Sequence, residues 1–173
     1  MGYPVFFSDQ ISKQLLAESP EVKIAIQDLL GADSYINNQV NTTFIAQKVF
    51  SDKLLLKQMN AIIHPAVRAS FSEWADDQNS NLVFNEAAIL FETNGYQQFD
   101  KTILVTAPNS IKIKRVLDRD KNMTVDAIEE RMKNQWSDDQ KIPLADYIIR
   151  NDENDMLLPQ ILEILEDLNQ QRG

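Results

Sequence analysis

Three features of the sequence predict an α/β protein with a parallel sheet flanked by helices. Short apolar runs recur, each ending in polar residues: Val5-Phe6-Phe7 in Ser8-Asp9, Leu82-Val83-Phe84 in Asn85-Glu86, Thr102–Val105 in Thr106-Ala107-Pro108, and Tyr147-Ile148-Ile149 in Arg150-Asn151-Asp152. Runs of this length and composition suit buried parallel strands. Stretches of helical periodicity separate them, as crossover connections between parallel strands require. The 173 residues, 43% of them hydrophobic, are enough for one domain with a substantial core.

The elements follow in order. After the first strand, Asp9 is expected to cap a helix carrying Ile11, Leu15 and Leu16. Ser19-Pro20-Glu21 starts a second helix, with a capping Ser and Pro in the first helical position, and Gly31 stops it. Asn37-Asn38-Gln39 reads as a tight turn. Three helical stretches come next, at 43–50, 53–63 and 65–78, the second after the start signal Ser51-Asp52 and the third after a break at His64-Pro65. They suggest a helical insertion between the first two strands. The central strand is expected in the first half of the run 81–92, with Leu82-Val83-Phe84 as its apolar part. Pro108-Asn109-Ser110 opens a helix, Thr124 caps another running to 135, 136–141 is a polar connector, and 157–168 is a C-terminal amphipathic helix.

Composition narrows the function. Seventeen basic residues against 26 acidic ones give a formal net charge of -9, which argues against general binding to nucleic acid or an anionic membrane. An anionic ligand therefore needs a local basic cluster. Cysteine is absent and histidine occurs once, so thiolate and multi-histidine metal sites are excluded, and no metal-ligating residues are assigned. No run approaches the ~18–20 apolar residues of a membrane span, and residues 1–20 lack a signal-peptide pattern. The cytoplasm is the expected compartment.

In open α/β sheets ligands sit beyond the carboxyl ends of the strands, which is where Asp9, Asn85, Glu86 and Glu92 fall. Asp9 is the candidate general base for accepting a hydroxyl proton, a plain helix cap being the other reading. Lys13 follows one turn later. Lys112, Lys114, Arg115, Arg119 and Arg131 form a basic cluster on two helices joined by a polar turn. Guanidinium forks on such a hairpin can close over nucleotide phosphates, although a solvated face paired with Asp126, Glu129 and Glu130 is equally consistent. His64 can hydrogen-bond a substrate phosphate or ribose, or serve a structural role, and Arg68 can bind a substrate anion or remain a surface charge. Glu86 and Glu92 are candidates for substrate hydroxyls or Mg²⁺-bound water, and otherwise strand-end acids.

The chain resembles the dephospho-coenzyme A kinases over essentially its whole length. The resemblance is carried by Gly2-Tyr3-Pro4-Val5 with Ser8-Asp9, by Asn60-Ala61-Ile62-Ile63-His64-Pro65, and by Glu86–Glu92. It continues in Val105–Pro108, Lys114–Asp120, Arg131 with Gln135, and Ala145–Ile149. It implies a P-loop kinase fold of the nucleoside-monophosphate-kinase type, with a helical substrate insertion and a lid. The implied subregions are a nucleotide core at 1–20 and 80–118, a coenzyme A-binding region at 21–79, a lid at 119–141, and a core strand with C-terminal helix at 142–173. The implied reaction transfers the γ-phosphoryl of ATP, with Mg²⁺, to the ribose 3′-hydroxyl of dephospho-coenzyme A. On this resemblance Asp9 is the base, Arg115, Arg119 and Arg131 bind phosphate, and Lys13, His64, Arg68, Glu86 and Glu92 are substrate-binding candidates.

Two departures stand out. Phe7-Ser8-Asp9 replaces a common Asp-Ala-Asp, keeping the last acid. More seriously, no G-x-x-x-x-G-K-[ST] occurs, and the four glycines hide no variant of it. In the family that loop and its strand precede the position of Gly2, and the strand lies between those ending near Glu86 and Thr106. The resemblance thus implies a fragment whose Met1 is internal or substituted, with two unpaired strand edges, low stability and weak or no kinase activity. A non-catalytic coenzyme A-binding module is the alternative, and a kinase for another small acceptor such as a nucleoside monophosphate is a third reading.

Overall fold

The computed structural model describes residues 2–171, so the expectation concerning Met1 lies outside the described residues. The chain divides into two compact units, 1–88 and 89–173.

In the first unit, β1 (Val5–Phe7) pairs in parallel with β4 (Phe84–Glu86), Val5 opposite Phe84 and Phe7 opposite Glu86. Of the apolar part expected to form this strand, Leu82 is buried but outside the ladder, and pairing begins at Phe84, whose N–H donates to the Pro4 carbonyl at 2.9 Å. The short β1 sets this limit, since a ladder extends only where both strands are present. β1 runs without a linker into α1 (Ser8–Glu18), so Asp9 falls inside the first turn and the N-cap is Phe7, which makes no side-chain cap hydrogen bond. The capping role expected for Asp9 is therefore corrected.

Helix α2 (Pro20–Leu30) starts as expected, the Ser19 hydroxyl accepting from the Val22 N–H, and ends at Gly31, whose φ of 103° suits glycine. β2 (Tyr35–Ile36) and β3 (Gln39–Val40) form an antiparallel hairpin. Its two-residue turn places Asn37 and Asn38 in the left-handed region, which asparagine tolerates. Helix α3 (Thr42–Ser51) is capped by Asn41, and α4 (Lys53–Asp76) by Asp52, which accepts from the N–H groups of Leu54 and Leu55.

The helix break expected at His64-Pro65 is absent: α4 runs through Pro65 for 24 residues. Packing overrides the proline, because α1, α2 and α3 all lie against α4. The core of this unit gathers Val22, Ile26, Leu30, Tyr35, Ile45, Val49 and Ile63 around the fully buried Ile26. Phe6 packs edge-on against Phe71 and tilted against Trp74, docking the far half of α4 on β1.

In the second unit, β5 (Ile103–Thr106) and β6 (Tyr147–Arg150) form another parallel pair, with Thr106 opposite Arg150. Between them lie α5 (Asn109–Arg119), α6 (Val125–Lys133), capped by Thr124 as expected, and α7 (Asp138–Lys141). The expected connector 136–141 thus contains a helical turn, fixed where the Ser137 N–H donates to the Gln140 side chain at 3.0 Å. Helix α8 (Leu157–Gln170) closes the chain and buries Ile164, Leu165 and Leu168.

The strands pair two and two rather than as one continuous hydrogen-bonded sheet. Among the described residues β4 has β1 as its only strand partner, and β5 has only β6.

Candidate active site

In the first unit the carboxyl ends of β1 and β4 lie side by side, which brings the first turn of α1 next to the end of β4. The Ser8 hydroxyl donates to Asn85 Oδ1 at 2.6 Å and ties the two together across 77 residues. Asp9, the next residue, is exposed, and so is Glu86 at the end of β4. Lys13 is one turn along α1 from Asp9 and also exposed. An exposed carboxylate fastened at a strand end can receive a proton from a bound hydroxyl.

His64 and Arg68 sit one turn apart on α4, His64 half-buried and Arg68 exposed. Burial, and then the Arg68 charge, hold the imidazole below its ordinary pKa. At neutral pH the ring is therefore neutral, with one nitrogen able to donate and the other to accept.

In the second unit, three residues of the basic cluster are already engaged. Lys112 donates to both oxygens of Asp138, at 2.8 and 2.7 Å. Lys114 reaches Glu153 at 3.4 Å in an exposed pair, and the Arg115 guanidinium donates to the Asn151 carbonyl at 3.0 Å. Arg119, the last residue of α5, and Arg131, in the last turn of α6, are both exposed. Beside this cluster Asp152 accepts from the N–H groups of Asn154 and Asp155, and these bonds lead in holding its carboxyl below the usual range.

Glu92 has a different environment. Its Oε1 lies 2.8 Å from Lys141 Nζ and accepts from the Trp136 N–H at 2.9 Å, and the two side chains are only 13% and 10% exposed. Sequence reading singled out Glu92 but not its partners. The Ser137-x-x-Gln140 spacing was the available signal that 136–141 is ordered, while the pairing itself spans 49 residues and leaves no local trace. Among the described residues no three His, Cys, Asp or Glu side chains converge on a metal-sized site, so no residue is assigned to Mg²⁺.

Parallel strand pairs joined through helices, with polar residues where the strands end, define an α/β protein of the class that binds ligands beyond its strand ends. The known structures agree in fold: TT1252 from Thermus thermophilus superposes with a TM-score of 0.85 at 25% identity, over 96% of this chain and 84% of that one. The dephospho-CoA kinase from Campylobacter jejuni superposes with a TM-score of 0.65 at 20% identity, over 99% and 88%. In sequence, the family described as dephospho-CoA kinase (CoaE) matches residues 1–156. The dephospho-CoA kinase of Bacteroides fragilis is 33% identical over 171 residues, 98% of this chain and 83% of its own length. The chain belongs to the dephospho-CoA kinase family.

Proposed function

We propose that the chain acts on dephospho-coenzyme A and ATP, directing the γ-phosphoryl group to the ribose 3′-hydroxyl. The observation that carries this reading is the family match over residues 1–156. In the proposed reaction Asp9 takes the proton from the 3′-hydroxyl as its oxygen bonds to the γ-phosphorus, the bond to the bridging β–γ oxygen breaks, and ADP leaves. The exposure of Asp9 at the carboxyl end of β1 supports that role. Arg115, Arg119 and Arg131 are assigned to the ATP phosphates, where guanidinium forks meet phosphate oxygens two at a time. Lys13, His64, Arg68 and Glu86 are assigned to the acceptor, with the neutral His64 as a hydrogen-bonding group. Glu92, occupied by Lys141 and Trp136, is left out of that set. Mg²⁺ would arrive with ATP and offset phosphate charge.

The 119–141 lid and the 21–79 acceptor region are proposed as the working subregions, and the cytoplasm as the compartment. No helix among the described residues is long and apolar enough to cross a membrane.

These 173 residues hold no G-x-x-x-x-G-K-[ST], so the backbone cradle and lysine that hold β- and γ-phosphates are not among them. We accordingly propose that this polypeptide alone transfers phosphoryl weakly or not at all. The same observation favours a second reading, a coenzyme A-binding module without catalysis.

The test incubates the 173-residue protein with Mg-ATP and dephospho-coenzyme A and follows the product by mass. Turnover of ~1–100 s⁻¹, as kinases achieve, would refute weak activity. Any measurable transfer should fall by about 10²–10⁴-fold in Asp9→Asn, with acceptor binding kept. Dephospho-coenzyme A should raise the melting temperature under either reading, and no shift would refute the acceptor assignment. A shift with ATP alone separates the kinase from the binding module. Competition by a nucleoside monophosphate would point to the third acceptor class.

A further inference from the structure

Arg131 sits on a helix with little to hold it. Helix α6 buries one residue, Ile128, and α5 before it buries none; the turn joining them, 120–124, is polar. What fixes the carboxyl side of α6 is the segment that follows. Two residues beyond the α6 C-cap Asn134, the Trp136 N–H donates to Glu92 Oε1, and five residues later Lys141 closes a 2.8 Å ion pair on the same oxygen. Glu92 thus grips both ends of 136–141. Lys112 of α5 holds Asp138, at the start of α7, from the other side.

We propose that Glu92 and Lys141 are positioning residues whose buried ion pair roots the Arg131-bearing helix and so sets where that arginine can reach. The inference rests on reading Arg131 as a phosphate ligand. A buried ion pair is weak evidence for stability in itself, because desolvating two charges offsets most of their attraction and an apolar pair packs as well. What an ion pair supplies is a defined geometry, and here it is specified tightly: one oxygen receives both donors. The other, Oε2, is buried without a hydrogen-bond partner among the described residues, so the hold runs through Oε1 alone. Exposed pairs of the same unit, such as Lys114 with Glu153, lack this enclosure and contribute little to fixing a segment.

The test is hydrogen exchange of the 173-residue protein, with no ligand, in Lys141→Met, Glu92→Gln, Lys141→Arg and the control Lys101→Met. Anchoring predicts exchange about tenfold faster in 125–141 for the first two variants, with β5, β6 and α8 near wild type. Lys141→Arg should retain most of the protection and Lys101→Met all of it. In a Trp74→Phe background, Trp136 emission should shift to the red in Lys141→Met. Unchanged exchange in 125–141, equal acceleration across the whole unit, or unfolding of both Lys141→Met and Glu92→Gln would overturn the proposal, the last two by making the pair a general stability element. ATP affinity of Arg131→Ala tests the phosphate role separately: no loss there refutes that reading of Arg131 and leaves the exchange result to decide the anchor.

Discussion

Replacing Pro65 should make the protein more stable and weaken binding of the proposed acceptor. Pro65 lies inside the 24-residue α4 and is exposed, so Pro65→Ala removes no core packing. A proline within a helix costs about 3 kcal/mol relative to alanine, through its missing N–H and its clash with the carbonyl four residues back, here that of Ala61. Against this, alanine frees the unfolded chain, an opposing effect of about 0.4–1 kcal/mol. The net expectation is a gain of about 2 kcal/mol. With a urea slope of about 1–2 kcal/mol per M, the midpoint rises by about 1–2 M. His64 and Arg68 lie where the ladder is interrupted, so restoring it re-aims both relative to the first half of α4. Calorimetric titration with dephospho-coenzyme A should therefore show weaker binding in the more stable variant. A stability loss, or no change, would refute the cost assigned to the proline; a stability gain with unchanged affinity would refute the role given to His64 and Arg68.

Other consequences are open to direct measurement. Ile26→Ala, at the fully buried centre of the first unit, should cost about 2–5 kcal/mol in urea unfolding, and a cost below about 1 kcal/mol would mean that the cluster collapses around the gap. The lowered pKa of His64 means that the unfolded chain binds more protons as pH drops through about 6.5. Its contribution to stability should hence decline from pH 7 downward and level off below the folded pKa. His64→Gln should remove that part of the slope, and identical pH profiles for the two proteins would contradict it. For Asp146, burial pushes the pKa up, but the Thr102 N–H and hydroxyl, helped by Lys101, bring it below normal on balance. That stabilisation is present above the ordinary aspartate pKa near 3.9 and is lost as pH falls through the folded value. With the Asp146 side chain 38% exposed, Asp146→Asn should cost about 1 kcal/mol or less at pH 7 and nothing at about pH 2, a pattern that thermal melts at the two pH values would confirm or dismiss.

What sequence could and could not reveal follows from the range of the interactions involved. The Ser19-Pro20 start, the Gly31 stop, the Asn37-Asn38 turn and the Thr124 cap are local chemistry, and each occurs as read. The run-through at Pro65 and the restriction of β4 to Phe84–Glu86 are decided by distant partners, α1 to α3 in one case and β1 in the other. Asp9 was legible as a strand-end acid but not its place in the first turn, because that depends on β1 passing into α1 with no linker. Residue type and position pointed to Arg119 and Arg131, which are exposed. They could not disclose that Lys112 and Glu92 are committed to partners 26 and 49 residues away.

That division bears on how the two groups of candidate residues work. His64 and Arg68 stand on a helix packed against three others, with Ile63 buried in the core beneath them, so their geometry is set by the most cooperative part of the first unit. Arg115, Arg119 and Arg131 stand on helices that bury one residue between them. Their placement depends instead on a few charged contacts, of which the Glu92–Lys141 pair is better shielded from water than Lys112–Asp138 or Lys114–Glu153. Local opening is cheap where apolar burial is small, so α5 and α6 should open at lower free energy than α4. On the proposed roles, an acceptor scaffold held by a core and arginines held by a few polar contacts suit a transfer in which charge stabilisation is needed only once both substrates are in place.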